Sequence, residues 1–304
     1  PWRFGNTLVS PGHPSRGGNG IELTGRFPHV AAMHDFSRYT FGTMSLGKQP
    51  AYPEADLAVV RRAMEAGVWF HSSPTYNNGF TFMVLRMAFD AARQQVPRLI
   101  VKIRDGSPRL MRFEAEDSCC RLGLDHLEVG QLVSMHREPG NLADQLCAGR
   151  GPLVDELASL KQRGLIRRAV LFFDRHNAEA AATAAQHPLI DGVTLYWNAL
   201  QWDCTPAAWA ILQKNQTPVL ALRTMGGPAE DGETKARRLA LHRALPGVDE
   251  TALALGLAAS EPLVRTTIGG TASLAHLEQF LSAAQHAAPL EEEALRAVDA
   301  IRRA

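Results

Sequence analysis

The chain has 304 residues, 45% of them hydrophobic and 21% charged, and its 32 basic and 31 acidic side chains leave a formal charge of +1. That length suits one α/β barrel, the composition argues against a disordered chain, and the balanced charge argues against nucleic acid or an anionic membrane as partner. Four cysteines without a CxxC pair, two of them adjacent at Cys119 and Cys120, argue against a disulfide scaffold or zinc site and favour a reducing cytoplasm.

Residues 1–36 contain the run SPGHPSRGGNG and read as a flexible N-terminal extension, within which Met33 is a candidate natural start. No apolar core of a signal peptide is visible there, and no stretch reaches the ~18 apolar residues of a membrane span. From residue 37 to 304 short apolar runs alternate with helix-periodic segments. The expected strands are Arg38–Met44, Val68–His71, Arg98–Ile103, Leu127–Ser134, Arg167–Phe173, Asp191–Trp197, Pro218–Arg223 and Val264–Gly270. Helical stretches such as EADLAVVRRAMEAG and LVDELASLKQRG lie between them, the second with Leu153, Leu157 and Leu160 on one face and Gly164 placed to end it. Gly67 stands at the same place after the first helix. Eight alternating strand–helix units predict a (β/α)₈ TIM barrel in the α/β class, and LEEEALRAVDAIRR adds a C-terminal covering helix. A doubly wound sheet is the rival fold, but no GxGxxG follows the first strand.

In such a barrel the reactive groups gather at the C-terminal ends of the strands. That places His71–Tyr76, Lys102, Val133–His136, Phe172–Asp174, Trp197–Asn198, Arg223–Gly227 and Gly269–Ser273 around one mouth. Lys102, inside an apolar strand, is the most informative of these, since a buried lysine is rare without a role or partner. Arg223 is an anion anchor or half of a salt bridge. Trp197 and Trp202 are pocket wall or helix packing, and Cys204 has no evident catalytic partner. No P-loop, HExxH, GxSxG or clustered metal ligands occur, so no metal is expected.

Four segments resemble the aldo-keto reductase superfamily in the family's order: FGTMSLG (Phe41–Gly47), EDSCCRLGLDHLEVGQL (Glu116–Leu132), ELASLKQRGLIR (Glu156–Arg167) and TTIGGTASLAHLEQFL (Thr266–Leu281). The resemblance implies carbonyl reduction with NADPH by an Asp–Tyr–Lys–His tetrad. SSPTYNNG (Ser72–Gly79) sets Tyr76 on the family's tyrosine, and Lys102 falls on its lysine. His71 occupies the aspartate position; Val133 stands at the histidine position, with His136 three residues later. Around the nicotinamide the family's Ser-Asn pair becomes Phe172 and Phe173, its Gln becomes Thr194, and its stacking aromatic becomes Leu222 or Arg223. Asn198, Arg223, Gly270, Thr271 and Ser273 are the cofactor contacts that the resemblance implies, the last three from backbone N–H groups at a helix N-terminus.

Three functions follow. The first is an NADP(H)-dependent oxidoreductase acting on a small carbonyl or alcohol, with Tyr76 as acid/base, Lys102 lowering its pKa, and His71 or His136 orienting substrate. The second is a cofactor-independent lyase, dehydratase or isomerase on the same barrel. The third is a catalytically silent binding homologue.

Overall fold

The computed structural model of the chain describes residue 33 and residues 35–49, 53–133, 140–226 and 232–303. Among them eight parallel strands close into a barrel in chain order: β1 (Tyr39–Gly42), β2 (Trp69–Ser72), β3 (Leu99–Arg104), β4 (Leu127–Val133), β5 (Ile166–Phe172), β6 (Gly192–Tyr196), β7 (Val219–Leu222) and β8 (Val264–Gly270), which pairs back onto β1. Each expected strand is present, with ends displaced by a few residues. The helices are α1 (Glu54–Glu65), α2 (Phe80–Ala91), α3 (Pro108–Leu122), α4 (Leu142–Cys147), α5 (Pro152–Gln162), α6 (Ala178–Ala184), α7 (Pro206–Lys214), α8 (Gly232–Ala244), α9 (Glu250–Ser260), α10 (Leu274–His286) and α11 (Glu292–Arg303). Local chemistry sets their ends. Ser107 and Thr205 accept from the amides of Leu110 and Ala208, each followed by a proline that starts the helix. Gly67 and Gly164 follow α1 and α5 with positive φ. Leu153, Leu157 and Leu160 are buried as their spacing predicts.

Because side chains alternate along a strand, the barrel wall separates two cores. Outward residues such as Phe70, Val101, Leu171 and Leu195 pack under the helices. Inward residues follow the strand register in layers of four from alternate strands. Trp69, Val129, Gly192 and Thr266 form the lowest layer, and Thr40, Ile100, Val170 and Leu220 the next. Above them come His71, Gln131, Thr194 and Ile268, then Gly42, Lys102, Phe172 and Leu222. The lower layers are mainly apolar filling; the upper two carry the chemistry.

The N-terminal end of the barrel is plugged. Met33 is buried in the inner core, and Phe36 lies on Trp69 with ring centres 4.1 Å apart. Arg168, inward-facing at this end, donates to Asp35 (2.8 Å) and Glu128 (2.8 Å), with its guanidinium over Trp69 and Phe36. Asp35 also pairs with Arg98. The boundary drawn from composition at residue 36 thus falls within a packed plug. At the far end of the chain, α11 packs on α8, and Arg302 donates to the carbonyl of Asn198 (2.7 Å).

Removing Arg168 takes from Asp35 and Glu128 the cation they share and leaves them Arg98 and Arg167. Burial pushes the Asp35 carboxyl up, but Arg168 and Arg98 outweigh it and hold it below the usual range. The stability from a depressed carboxyl is present above its unfolded pKa and is lost as pH falls through the folded value. Arg168→Met is expected to cost about 1–2 kcal/mol in urea unfolding at pH 7, because solvent screens the half-exposed Asp35 and the remaining arginines compensate in part, with a smaller deficit at pH 3. Equal losses at both pH values would contradict the ion-pair assignment.

Candidate active site

One hydrogen-bonded chain crosses the barrel beneath the mouth. His71 Nε2 lies 2.6 Å from Gln131 Oε1, Gln131 Nε2 donates to Thr194 Oγ1 (3.0 Å), and Thr194 Oγ1 donates to the Leu171 carbonyl (3.5 Å). The direction of this chain assigns the histidine tautomer: Gln131 uses its amide nitrogen on Thr194, so its oxygen accepts from Nε2–H and Nδ1 is left as the acceptor. Burial and the Lys102 charge push the His71 pKa down to about 3, against the opposing pull of Gln131. His71 is therefore neutral at physiological pH. It supplies no negative charge, and so cannot act as the carboxylate that the resemblance implies at this position.

Tyr76 arrives on a loop with unusual backbone. Asn77 and Asn78 have φ of 47° and 55°, a region asparagine tolerates better than other side chains. The Asn77 amide donates to the carbonyls of Met44 (2.8 Å) and Leu46 (2.5 Å), tying the turn to the loop after β1. Arg121 donates to the carbonyls of Pro74 and Gly79. So braced, Tyr76 meets His71 edge-on at 6.4 Å between ring centres, and the Lys102 ammonium lies 5.1 Å from the Tyr76 ring centre. Lysine and tyrosine thus meet through the ring face. Burial and neighbouring Tyr196 push the phenol well above its usual range. Burial, reinforced by Arg223, lowers the Lys102 pKa to about 8.

The opposite rim comes from β5, β6 and β7. Phe172 faces inward and meets Tyr196 edge-on at 5.6 Å, whereas Phe173 points outward into the helix layer. Arg223 follows β7 with φ of 60°, its guanidinium 3.9 Å above the Tyr196 ring and its Nη1 donating to Gln201 Oε1 (3.4 Å). Among the described residues it forms no ion pair.

The remaining candidates lie elsewhere. Asn198 is turned into its own loop, where its Oδ1 accepts from the amides of Leu200 and Gln201 (2.9 Å each). Gly270, Thr271 and Ser273 form the turn between β8 and α10. Thr271 Oγ1 accepts from the Ser273 amide and Ser273 Oγ from that of His276, leaving the Leu274 and Ala275 amides without a described side-chain partner. His136 lies outside the described residues. Trp202 packs on Trp209 and Trp197 under Arg302, so both serve packing. Burial pushes the Cys204 thiol up to about 12, which leaves it protonated. Gln131 escaped the sequence reading, although a glutamine at an inward position between Val129 and Val133 was its signal.

The comparisons with known proteins give the family and the fold. The profile described as the Aldo/keto reductase family matches residues 38–303, and the chain belongs to that family. At the level of sequence, no curated protein matches. Among solved structures, the holo form of aldo-keto reductase AKR11C1 from Bacillus halodurans is similar with a TM-score of 0.69 and 19% identity, over 87% of this chain and 92% of that one. The aldo/keto reductase from Klebsiella pneumoniae in complex with NADP and acetate gives 0.68 and 21%, over 88% and 91%. At such identities the likeness carries the fold.

A lysine with a pKa of about 8 loses its charge between roughly pH 7 and 9, well before the ordinary value of about 10.4. In NMR of the reductively ¹³C-methylated protein, one lysine is expected to titrate there and to vanish in Lys102→Met. Arg223→Gln should move its midpoint upward, leaving the part caused by burial. A spectrum in which every lysine titrates near 10 would refute the depressed value.

Proposed function

We propose that the protein is an aldo-keto reductase-like oxidoreductase acting on a small carbonyl or alcohol with NADP(H), in which Tyr76 moves the proton at the substrate oxygen. The observation that carries this reading is the meeting of Tyr76, Lys102 and His71, from three different segments, at the mouth. The phenol keeps its proton at neutral pH and so is loaded as a donor. When it gives that proton to a substrate oxygen, the nearby Lys102 ammonium offsets the phenolate charge that forms. His71, with Nε2–H committed to Gln131, holds one orientation beside the Tyr76 ring.

NADP(H), when bound, supplies or accepts the hydride. Its phosphate end fits the turn after β8. There Gly270 is exposed with no side chain, and the Leu274 and Ala275 amides, without a side-chain partner among the described residues, begin a helix. The carboxamide end fits less well, because the Asn198 oxygen is spent within its loop and Arg223 covers the Tyr196 ring. That observation favours a second reading, proton transfer without a cofactor by the same Tyr76, Lys102 and His71.

Titration with NADPH and NADP⁺, followed by nicotinamide fluorescence and calorimetry, separates the two. The oxidoreductase reading expects saturable binding, retained in Tyr76→Phe while turnover falls by roughly 10²-fold or more. Absence of binding at millimolar cofactor would sink it and leave the cofactor-free alternative.

A further inference from the structure

Two cations lean over the mouth from opposite sides of the barrel, Lys102 on β3 and Arg223 after β7, and they are near enough for Arg223 to disfavour the charge on Lys102. Among the described residues, no carboxylate meets either. Arg223 has the neutral amide of Gln201 and Lys102 the ring of Tyr76. The other end of the same barrel is built differently, since inward-facing Arg168 is neutralised by both Asp35 and Glu128. Cations withdrawn from water without a counter-charge carry a desolvation cost that an anion arriving from solution offsets.

A second, independent observation concerns the backbone. Arg223 holds φ at 60°, a conformation that is strained for a residue other than glycine and that persists where the surroundings demand it. The result is a guanidinium laid against Tyr196 at 3.9 Å. Held flat in this way, the group keeps N–H edges for a planar acceptor, and a carboxylate is the group that takes two such bonds at once. Phe172 and Tyr76 supply apolar wall for the rest of a small ligand.

We propose that the substrate is a small anion, an oxo acid or hydroxy acid whose carboxylate is held by Arg223, with Lys102 as the second cation and its reacting oxygen toward Tyr76. This rests on Tyr76 being the acid/base of the site, as assigned above, but carboxylate binding can be read without turnover. Calorimetric titrations of the full chain at low ionic strength, with and without NADPH, would compare pyruvate, 2-oxoglutarate and phenylglyoxylate with their uncharged methyl esters. At least one acid is expected to bind ten times or more tightly than its ester. Arg223→Gln should erase that preference and Arg223→Lys should retain part of it, with circular dichroism confirming that both variants fold. The inference is overturned if no acid outbinds its ester, or if Arg223→Gln leaves the preference intact. Acid preference without NADPH-dependent turnover would spare the anion site and remove the oxidoreductase reading; turnover of esters equal to that of acids would do the reverse.

Discussion

A closed barrel of tilted strands allows each inward side chain only three companions at its own height, so the identity of one layer constrains the next. In this protein the third layer is polar: His71, Gln131 and Thr194 satisfy one another across the interior, with Ile268 as the fourth member. A buried network of this kind is tolerable only when its donors and acceptors are matched, and here each link fixes the next down to the tautomer of His71. The network forms a floor, and Lys102 rises directly above it. A carboxylate at position 71 would sit beside the ammonium; a neutral imidazole instead leaves the charge unopposed, and that charge adds to burial in holding the His71 pKa down, while burial and Arg223 lower that of Lys102.

The two ends of the barrel treat charge in opposite ways. At the N-terminal end Arg168 is enclosed by Trp69 and Phe36 and met by two carboxylates, an arrangement that holds the plug and needs nothing from solution. At the C-terminal end Lys102 and Arg223 rest on the faces of Tyr76 and Tyr196. Aromatic faces attract cations but do not neutralise them. The same ingredients, a buried cation and an aromatic ring, therefore make a structural rivet at one end and a receptive site at the other, and the difference is the presence of Asp35 and Glu128.

Much of the fold was legible in the chain. Short apolar runs and period-3.6 patterns located the strands and helices, and Gly67 and Gly164 marked helix ends that the structure retains. Lys102 was conspicuous because a lysine does not belong in an apolar strand. Other features were hidden. Phe172 and Phe173 are adjacent and alike in sequence, yet one lines the mouth and the other packs under helices, a consequence of strand pleat that depends on register. Asn198 looks available in sequence, but its oxygen closes a turn with Leu200 and Gln201. The plug made by Met33, Asp35 and Phe36 follows a Gly- and Pro-rich run that gives no hint of it.

The sequence by itself determined the barrel, its order of elements and the presence of a tyrosine and a lysine near its mouth, because periodicity, caps and burial preference are local properties of the chain. Tertiary structure alone decided how those groups meet: that Lys102 faces the Tyr76 ring, that His71 is bound to Gln131 sixty residues away, and that Arg223 lies over Tyr196 on the opposite rim. Those contacts depend on the stagger between strands and on desolvation inside the closed barrel. Both are properties of the assembled wall and not of any segment within it.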